Sequence, residues 1–350
     1  MTTGVNSGHG RTLGQGSGRL PTMADIAEHV GVSRQLVSLV LREAPGPSTE
    51  SRERVLAAAA ELGYRPNASA RLLRQSRTHL IGVVFSMRNP FQVRFVERLF
   101  VRAAEQGFGV VLGPMTQERP PEAAVSALME ARVEALVAFN PGPDTQALTT
   151  AGELVPVVWL GEWVDEPTLD NVHVDEIEGL RLAVEHLMSL GHSDIEYIGG
   201  LESRVGADRI EAYRSAMAGA GLARQTKVTV TGFSEEGGAS AARRILRRKR
   251  RPTAIVCGGD QCAAGALAVF ARAGVAVPEE ISVVGFDDSY LASLSYHQLT
   301  SVRQDVEATV EATLTSVLGH LNAADAPRRV TATRVELIVR ESTGPARTGA

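Results

Sequence analysis

A chain of 350 residues, 44% hydrophobic and 22% charged, has room for two or three folded units with large cores. No apolar stretch is long enough to span a membrane, which excludes an integral membrane protein of the helical kind. The net charge of −4 hides an asymmetry: residues 1–80 hold ten arginines against six acids, so the remaining chain carries −8. A positive front on an acidic body suits phosphate binding by the front alone.

Residues 1–20 are rich in Gly, Ser and Thr and are expected to be a disordered tail. They hold no apolar core of a signal peptide, so the cytoplasm is the expected compartment. From Met23 to Leu41, two short apolar-periodic helices meet at Gly31-Val32-Ser33. Ile26, Ala27, Val30, Val37 and Val40 form one apolar set, leaving a polar-faced second helix free to enter a groove, the layout of a helix-turn-helix. Gly31 reads as a C′ glycine able to take φ > 0, Val32 as a plug between helices, and Ser33 as an N-cap. Arg34 and Gln35 then fall in the first turn of the second helix, where Arg can fork onto guanine and Gln onto adenine. The alternative is an ordinary helix corner with a solvated Arg-Gln pair.

A third helix starts at Ser48 and runs through Val55, Leu56, Ala59 and Leu62 to a stop at Gly63. Pro66 and Asn67 open a last short element, Asn67–Arg74, with Arg71 and Arg74 around Leu72 and Leu73. Eight residues make a marginal helix in water, expected to order only when something packs on it.

These residues, from the Gly-Val-Ser turn to Gly63-Tyr64-Arg65-Pro66-Asn67, resemble the DNA-binding headpiece of the lac repressor family (LacI/GalR) of bacterial transcription regulators. The resemblance covers residues 22–76 and extends into the rest of the chain. It implies a hinge helix that folds on operator DNA, with Leu73 wedging into the minor groove and Ala70 keeping paired hinge helices close. It implies DNA contacts at Thr22, Ser33, Arg34, Gln35, Ser38, Asn67, Ala70, Arg71, Leu73 and Arg74. Leu39 stands where many members carry a base-reading arginine, so half-site reading is expected to lean on Arg34 and Gln35.

Beyond residue 78 short apolar runs alternate with amphipathic helices. Strand-like runs are His79–Phe85, Phe108–Leu112, Ala135–Phe139, Val155–Leu160, Asp194–Ile198, Val228–Val230, Ala254–Cys257 and Ser282–Phe286. Arg94–Gln106, Ile177–Leu190 and Cys262–Ala273 are among the helices between them. This pattern predicts parallel sheets covered on both faces. The expected fold is an all-α helix-turn-helix headpiece plus α/β, with two tandem doubly wound parallel-sheet lobes like a periplasmic binding protein. The expected organisation is a tail (1–20), headpiece (21–66), hinge helix and linker (67–77), two-lobed effector and dimerisation unit (78–343) and end (344–350). One lobe should hold 78–174 with 302–324, the other 175–301 with 325–343.

Such sheets bind ligands at the carboxyl ends of their strands. Asp287 follows a buried strand and matches the family's ligand-binding aspartate; Asp288 is expected to cap the next turn. Arg209 matches a family arginine that contacts effectors, or is a surface charge. Phe233 aligns with a cleft aromatic, or fills core. Phe91 and Asp260 complete the expected effector contacts. Gly161 and Gly259 stand where sugar-responding members often place Asp and Asn, so the ligand is not a typical galactoside; a purine or a smaller or amended sugar is open.

Three further features need placing. Gly107–Gly113 resembles a dinucleotide fingerprint but precedes a strand, whereas a phosphate loop must follow one. Arg243–Arg251 is strongly basic, read as a helix C-terminus where the macrodipole favours cations. Cys257 and Cys262 lack the partners of a zinc site and read as reduced core residues. No metal or cofactor and no catalytic motif is expected. The reading is a sequence-specific transcriptional regulator, a repressor that binds a pseudo-palindromic operator as a homodimer under a sugar-like or purine-like effector. A solute-binding protein, and an activator or corepressor-dependent regulator, are the alternatives.

Overall fold

The computed structural model describes residues 21–65, 77–116, 118–142, 146–164, 169–200, 204–323 and 326–347. The chain divides into two compact units, residues 1–77 and 78–350.

The described residues of the first unit form three helices: α1 (Met23–Val30), α2 (Arg34–Leu41) and α3 (Thr49–Glu61). Each starts at a hydroxyl, on Thr22, Ser33 and Ser48, that accepts the backbone N–H three residues on. At α1 the cap is reciprocal, because the Asp25 carboxylate accepts the Thr22 N–H at 2.6 Å. Gly31 ends α1 with φ +73°, and its N–H and that of Val32 both reach the Ala27 carbonyl. Nothing lies within 4 Å of a β-carbon built there, so backbone angle rather than space requires glycine.

Ile26, Ala27, Val37, Val40, Val55, Ala58 and Ala59 form the core of this unit, with Val30, Val32 and Leu62 packed at its margin. Leu56, expected on the buried stripe of α3, is 52% exposed. It lies one residue past Val55, about 100° around the helix, and so faces outward. The expected hinge element, with Asn67, Ala70, Arg71, Leu73 and Arg74, lies outside the described residues.

The second unit begins with β1 (Leu80–Ser86), α4 (Pro90–Glu105), β2 (Gly109–Met115), α5 (Pro121–Glu130), β3 (Ala135–Phe139), α6 (Gln146–Gly152), β4 (Val157–Gly161) and β5 (Asp170–Val174). It continues with α7 (Glu176–Ser189), β6 (Ile195–Gly199), α8 (Arg204–Gly219), β7 (Lys227–Val230), α9 (Glu235–Leu246), β8 (Ala254–Cys257), α10 (Asp260–Arg272), β9 (Ser282–Asp287) and β10 (Thr300–Gln304). The last elements are α11 (Val306–Asn322), β11 (Val330–Thr333) and β12 (Val335–Ile338).

Two six-stranded sheets result, ordered β11-β5-β4-β3-β1-β2 and β12-β10-β9-β8-β6-β7. All pairs are parallel except β10 with β12. Alternate strand residues feed two core layers per sheet. In the first lobe Ile81, Val83 and Phe85 pack with α4 and α11, while Val84, Leu136 and Ala138 pack with α5 and α6. In the second, Tyr197 and Val256 pack with α7 and α8, and Ile198, Ile255 and Cys257 with α9 and α10.

The chain passes between lobes three times: after Val174, after Gln304 and between Thr333 and Val335. The last two differ from expectation. Residues 302–304 belong to the second lobe because β10 pairs with β9, and β11 belongs to the first because it pairs with β5. Both strands, like β5, escape an apolar-run reading because half or more of their residues are polar, whereas β12 is apolar at three of its four positions and lay within reach of that reading. Buried Asp170, Asn171, Thr300 and Ser301 each make side-chain or backbone hydrogen bonds, although one oxygen of Asp170 and the Asn171 carboxamide oxygen have no partner.

Candidate DNA-reading helix and interlobe cavity

In the first unit Arg34 and Gln35 are exposed in the first turn of α2, and Ser38, one turn on, is half-buried with its carbonyl accepting Arg42 Nε at 3.1 Å. The Ser33 hydroxyl accepts the Leu36 N–H, so it is already committed to capping. The same holds for Thr22, whose hydroxyl donates to Asp25 and accepts its N–H. Leu39 is half-buried beside Val40. The exposed polar groups of α2 are therefore Arg34 and Gln35, with one forked cation and one amide to offer.

In the second unit a cleft with about 620 Å³ of atom-free space, open solvent included, lies between the lobes at the carboxyl ends of their strands. The first lobe contributes Asn89, Phe91, Gln92, Phe139, Asn140 and Gly161 to its wall. Here three carboxamide oxygens are turned to the backbone: Asn89 accepts the Gln92 N–H at 3.1 Å, Gln92 accepts Ser86 at 2.7 Å, and Asn140 accepts Glu162 at 2.9 Å. That fixes the amide orientation and leaves their NH₂ groups as donors. Phe91 and Phe139 meet edge to face at 6.2 Å.

The second lobe contributes Glu176, Val205, Arg209, Phe233, Gly258, Gly259, Gln261, Asp287 and Gln304. Arg209, on α8, is only 7% exposed in its side chain. Its Nη1 donates to the Gly258 carbonyl at 2.6 Å and lies 3.7 Å from Asp287, while Nε lies 3.7 Å from Glu176. The guanidinium sits 3.8 Å from the centre of the Phe286 ring and 5.9 Å from that of Phe233. Gln304 Nε2 donates to Asp287 at 2.5 Å.

Burial pushes the Glu176 carboxyl up to about 7, with Arg209 opposing. Burial likewise raises Asp287 and Asp260, and the charge of Asp287 raises Asp260 further, so this pair resists full ionisation.

Phe91, Arg209, Phe233 and Asp287 thus meet at one cavity, and Gly161 and Gly259 lie on its wall. Asp260 does not line it. It is 1% exposed, and its oxygens accept Ser289 N–H and Oγ at 2.6 and 2.9 Å and Ser301 Oγ at 2.6 Å. With its acceptors engaged inward it braces the Asp287 turn instead of facing a ligand. Asp288 does not cap a turn through its side chain: the carboxylate pairs with Arg303 at 2.8 Å and Arg340 at 2.7 Å.

Asn89, Gln92, Asn140, Glu176, Gln261 and Gln304 went unread from sequence. Asn140 directly follows a predicted strand, a position that could have signalled it. Glu176 lies two residues past β5 and Gln304 is the last residue of β10, both strands without an apolar signature.

Among the remaining features, β2 starts at Gly109, so Gly107–Gly113 feeds a strand. Helix α9 ends at Leu246, inside the basic run, where Arg248 pairs with buried Glu196 at 2.5 Å. Both cysteines are buried and free. Among the described residues no group of three or more His, Cys, Asp or Glu is placed to hold a metal ion, and no helix is long and apolar enough to cross a membrane.

A helix-turn-helix unit joined to a two-lobed, periplasmic-binding-protein-like unit defines a ligand-responsive DNA-binding protein class. Residues 22–67 match the family of bacterial regulatory proteins named for lacI, and residues 184–343 match a periplasmic binding protein-like domain. The chain is 31% identical to the HTH-type transcriptional regulator DegA of Bacillus subtilis, over 93% of this chain and 99% of that one. It is 33% identical to the regulator GalR of Escherichia coli, over 82% and 85%. A lac repressor dimer bound to operator and the anti-inducer ONPF superposes with a TM-score of 0.77 at 29% identity, covering 93% of this chain and all of that one. A CelR–cellobiose complex gives 0.68 at 29%, covering 92% and 99%. The chain belongs to the LacI family of transcriptional regulators. Its relatives are regulators, not enzymes.

Proposed function

We propose that this protein is a cytoplasmic repressor that binds a pseudo-palindromic operator as a homodimer and releases or tightens it when a small uncharged effector fills the interlobe cavity. One headpiece offers too small a contact for a specific site, and two-fold pairing supplies a second half-site. Arg34 and Gln35 read base edges, with Ser33 and Ser38 beside them at the same helix, and Thr22 at the start of α1. Asn67, Ala70, Arg71 and Arg74 approach the backbone and minor groove, and Leu73 wedges a central step.

The observation that carries the effector half is Arg209, buried between Asp287 and Glu176 and open to a cavity that two lobes share. Such charged groups are costly to bury unless paired, and here they line the space where a ligand with hydroxyl or ring N–H donors would meet them. Phe233 and Phe91 offer apolar cover. Gly161 and Gly259 withhold two polar side chains, which favours a sugar-like or purine-like ligand other than a galactoside.

The test is binding of the full chain to an inverted-repeat duplex selected from random sequence, titrated with neutral sugars and purine bases. A compound that shifts the affinity should lose its effect with Asp287→Asn, while binding without the compound persists. A shift that survives Asp287→Asn and Arg209→Ala would place the effector elsewhere. Leu73→Ala should weaken operator binding with dimerisation intact; equal affinity would remove the wedge.

A further inference from the structure

We infer that Asp288 is a positioning residue that ties the cavity-facing Asp287 turn to β10 and β12, the strands that flank the last two crossings between the lobes. Asp287 and Asp288 both take positive φ, +107° and +46°, a region that costs non-glycine residues energy unless their surroundings impose it. The surroundings do so on every side. The Asp288 N–H donates to Ser301 Oγ at 3.1 Å, Asp260 holds the following Ser289, and Gln304 holds the Asp287 carboxylate. The Asp288 carboxylate, 5% exposed, takes Arg303 Nε on one oxygen and Arg340 Nη2 on the other.

The positions of those two arginines carry the inference. Arg303 is the penultimate residue of β10, next to the point where the chain leaves for α11. Arg340 lies two residues past β12, the strand that begins as the chain returns from β11. Arg340 is itself fastened to β10, donating from its N–H to Thr300 Oγ1 at 2.9 Å and from Nη1 to the Leu299 carbonyl at 2.7 Å. Arg303 also pairs with Glu336 at 3.5 Å, its register partner on β12. A movement of the Asp287 turn therefore bears both on β10, from which the chain leaves, and on β12, on which it returns. This rests on the cavity being the effector site, but its test uses no ligand.

Spin labels at Thr150→Cys on α6 and Ala218→Cys on α8 report the distance between lobes. Both positions are exposed, and the native cysteines are buried. Labelled full chain, diluted into unlabelled chain, should give one distance population. Asp288→Asn and Arg340→Gln should each add a second, and Arg340→Lys should restore the first. Glu196→Gln, which breaks an equally buried ion pair on β6 far from the crossings, should leave the distribution alone. If Asp288→Asn fails to fold, Arg303→Gln, whose side chain is 42% exposed, carries the same expectation. An unchanged distribution in the folded variants, or an equal change in Glu196→Gln, overturns the proposal. Failure of every effector candidate would overturn the effector reading alone.

Discussion

The three-helix unit and the two-lobed unit distribute polar groups in opposite ways. The first keeps seven apolar side chains inside and turns Arg34 and Gln35 outward, so its working surface needs no buried charge. The second buries Arg209, Asp260 and Asp288, half-buries Glu176 and Asp287, and surrounds them with hydrogen bonds or counter-ions. A phosphate-rich partner is met in water, where arginine forks work without desolvation. A small ligand is met in a cavity, where polar groups must be held ready in its absence. Stability in the first unit should thus depend on volume, and in the second on pH and on the placing of single polar atoms.

The largest expected effect is in the small core. Ile26→Ala, at a side chain with no exposure, should destabilise the headpiece by roughly 2–5 kcal/mol. Urea unfolding followed by probes in each unit should show the headpiece melting early with the lobes unchanged; a matched loss in the lobes would mean the two units unfold together.

Next comes the buried acid of the cavity. Glu176 sits at about 7 in the folded protein and lower when unfolded, so between those values the folded state holds a proton that the unfolded chain has lost. Its contribution is whole at low pH and falls away as pH rises to 7, by on the order of 3 kcal/mol. Glu176→Gln should remove that slope. The difference in unfolding free energy between pH 5 and pH 8 should change between wild type and variant; identical slopes would refute the burial argument. Comparing the two proteins cancels His186 and His192, whose pKa values burial lowers and whose pH dependence runs the other way.

A smaller effect is expected at Gly161. Its φ is +95°, and an added β-carbon would land on the Asn140 carboxamide that accepts the Glu162 N–H. Gly161→Ala should cost about 1–3 kcal/mol and release Asn140 from its place on the wall. The urea midpoint of the lobes measures this, and an unchanged midpoint would show that the wall yields freely. Ser48→Ala, removing the cap of α3, should cost about 1 kcal/mol in the headpiece alone.

The same contrast decides what the chain disclosed. In the headpiece every determinant is local: Gly31 and Ser33 adjoin the helices they end and start, so the turn was legible at single-residue level. In the lobes, most strands with apolar runs were legible, and β5 and β10 were not, because Asp170, Thr300 and their neighbours are polar residues buried with hydrogen bonds; β11 and β12, four residues each and only partly buried, were missed as well. That omission shifted the lobe boundaries and hid Glu176 and Gln304. Asp287 and Arg209 were reached through family resemblance. The inward role of Asp260 depends on Ser289 and Ser301, the latter 41 residues away, and no spacing rule announces such a partner.

The most direct measurement is selection of duplexes from a random pool by the full wild-type chain and by Arg34→Ala. Wild type should recover an inverted repeat, and the variant should keep its spacing while losing preference at one symmetric position per half-site, worth about 1–3 kcal/mol. Recovery of no inverted repeat, or of the same motif by both proteins, would contradict reading by the first turn of α2.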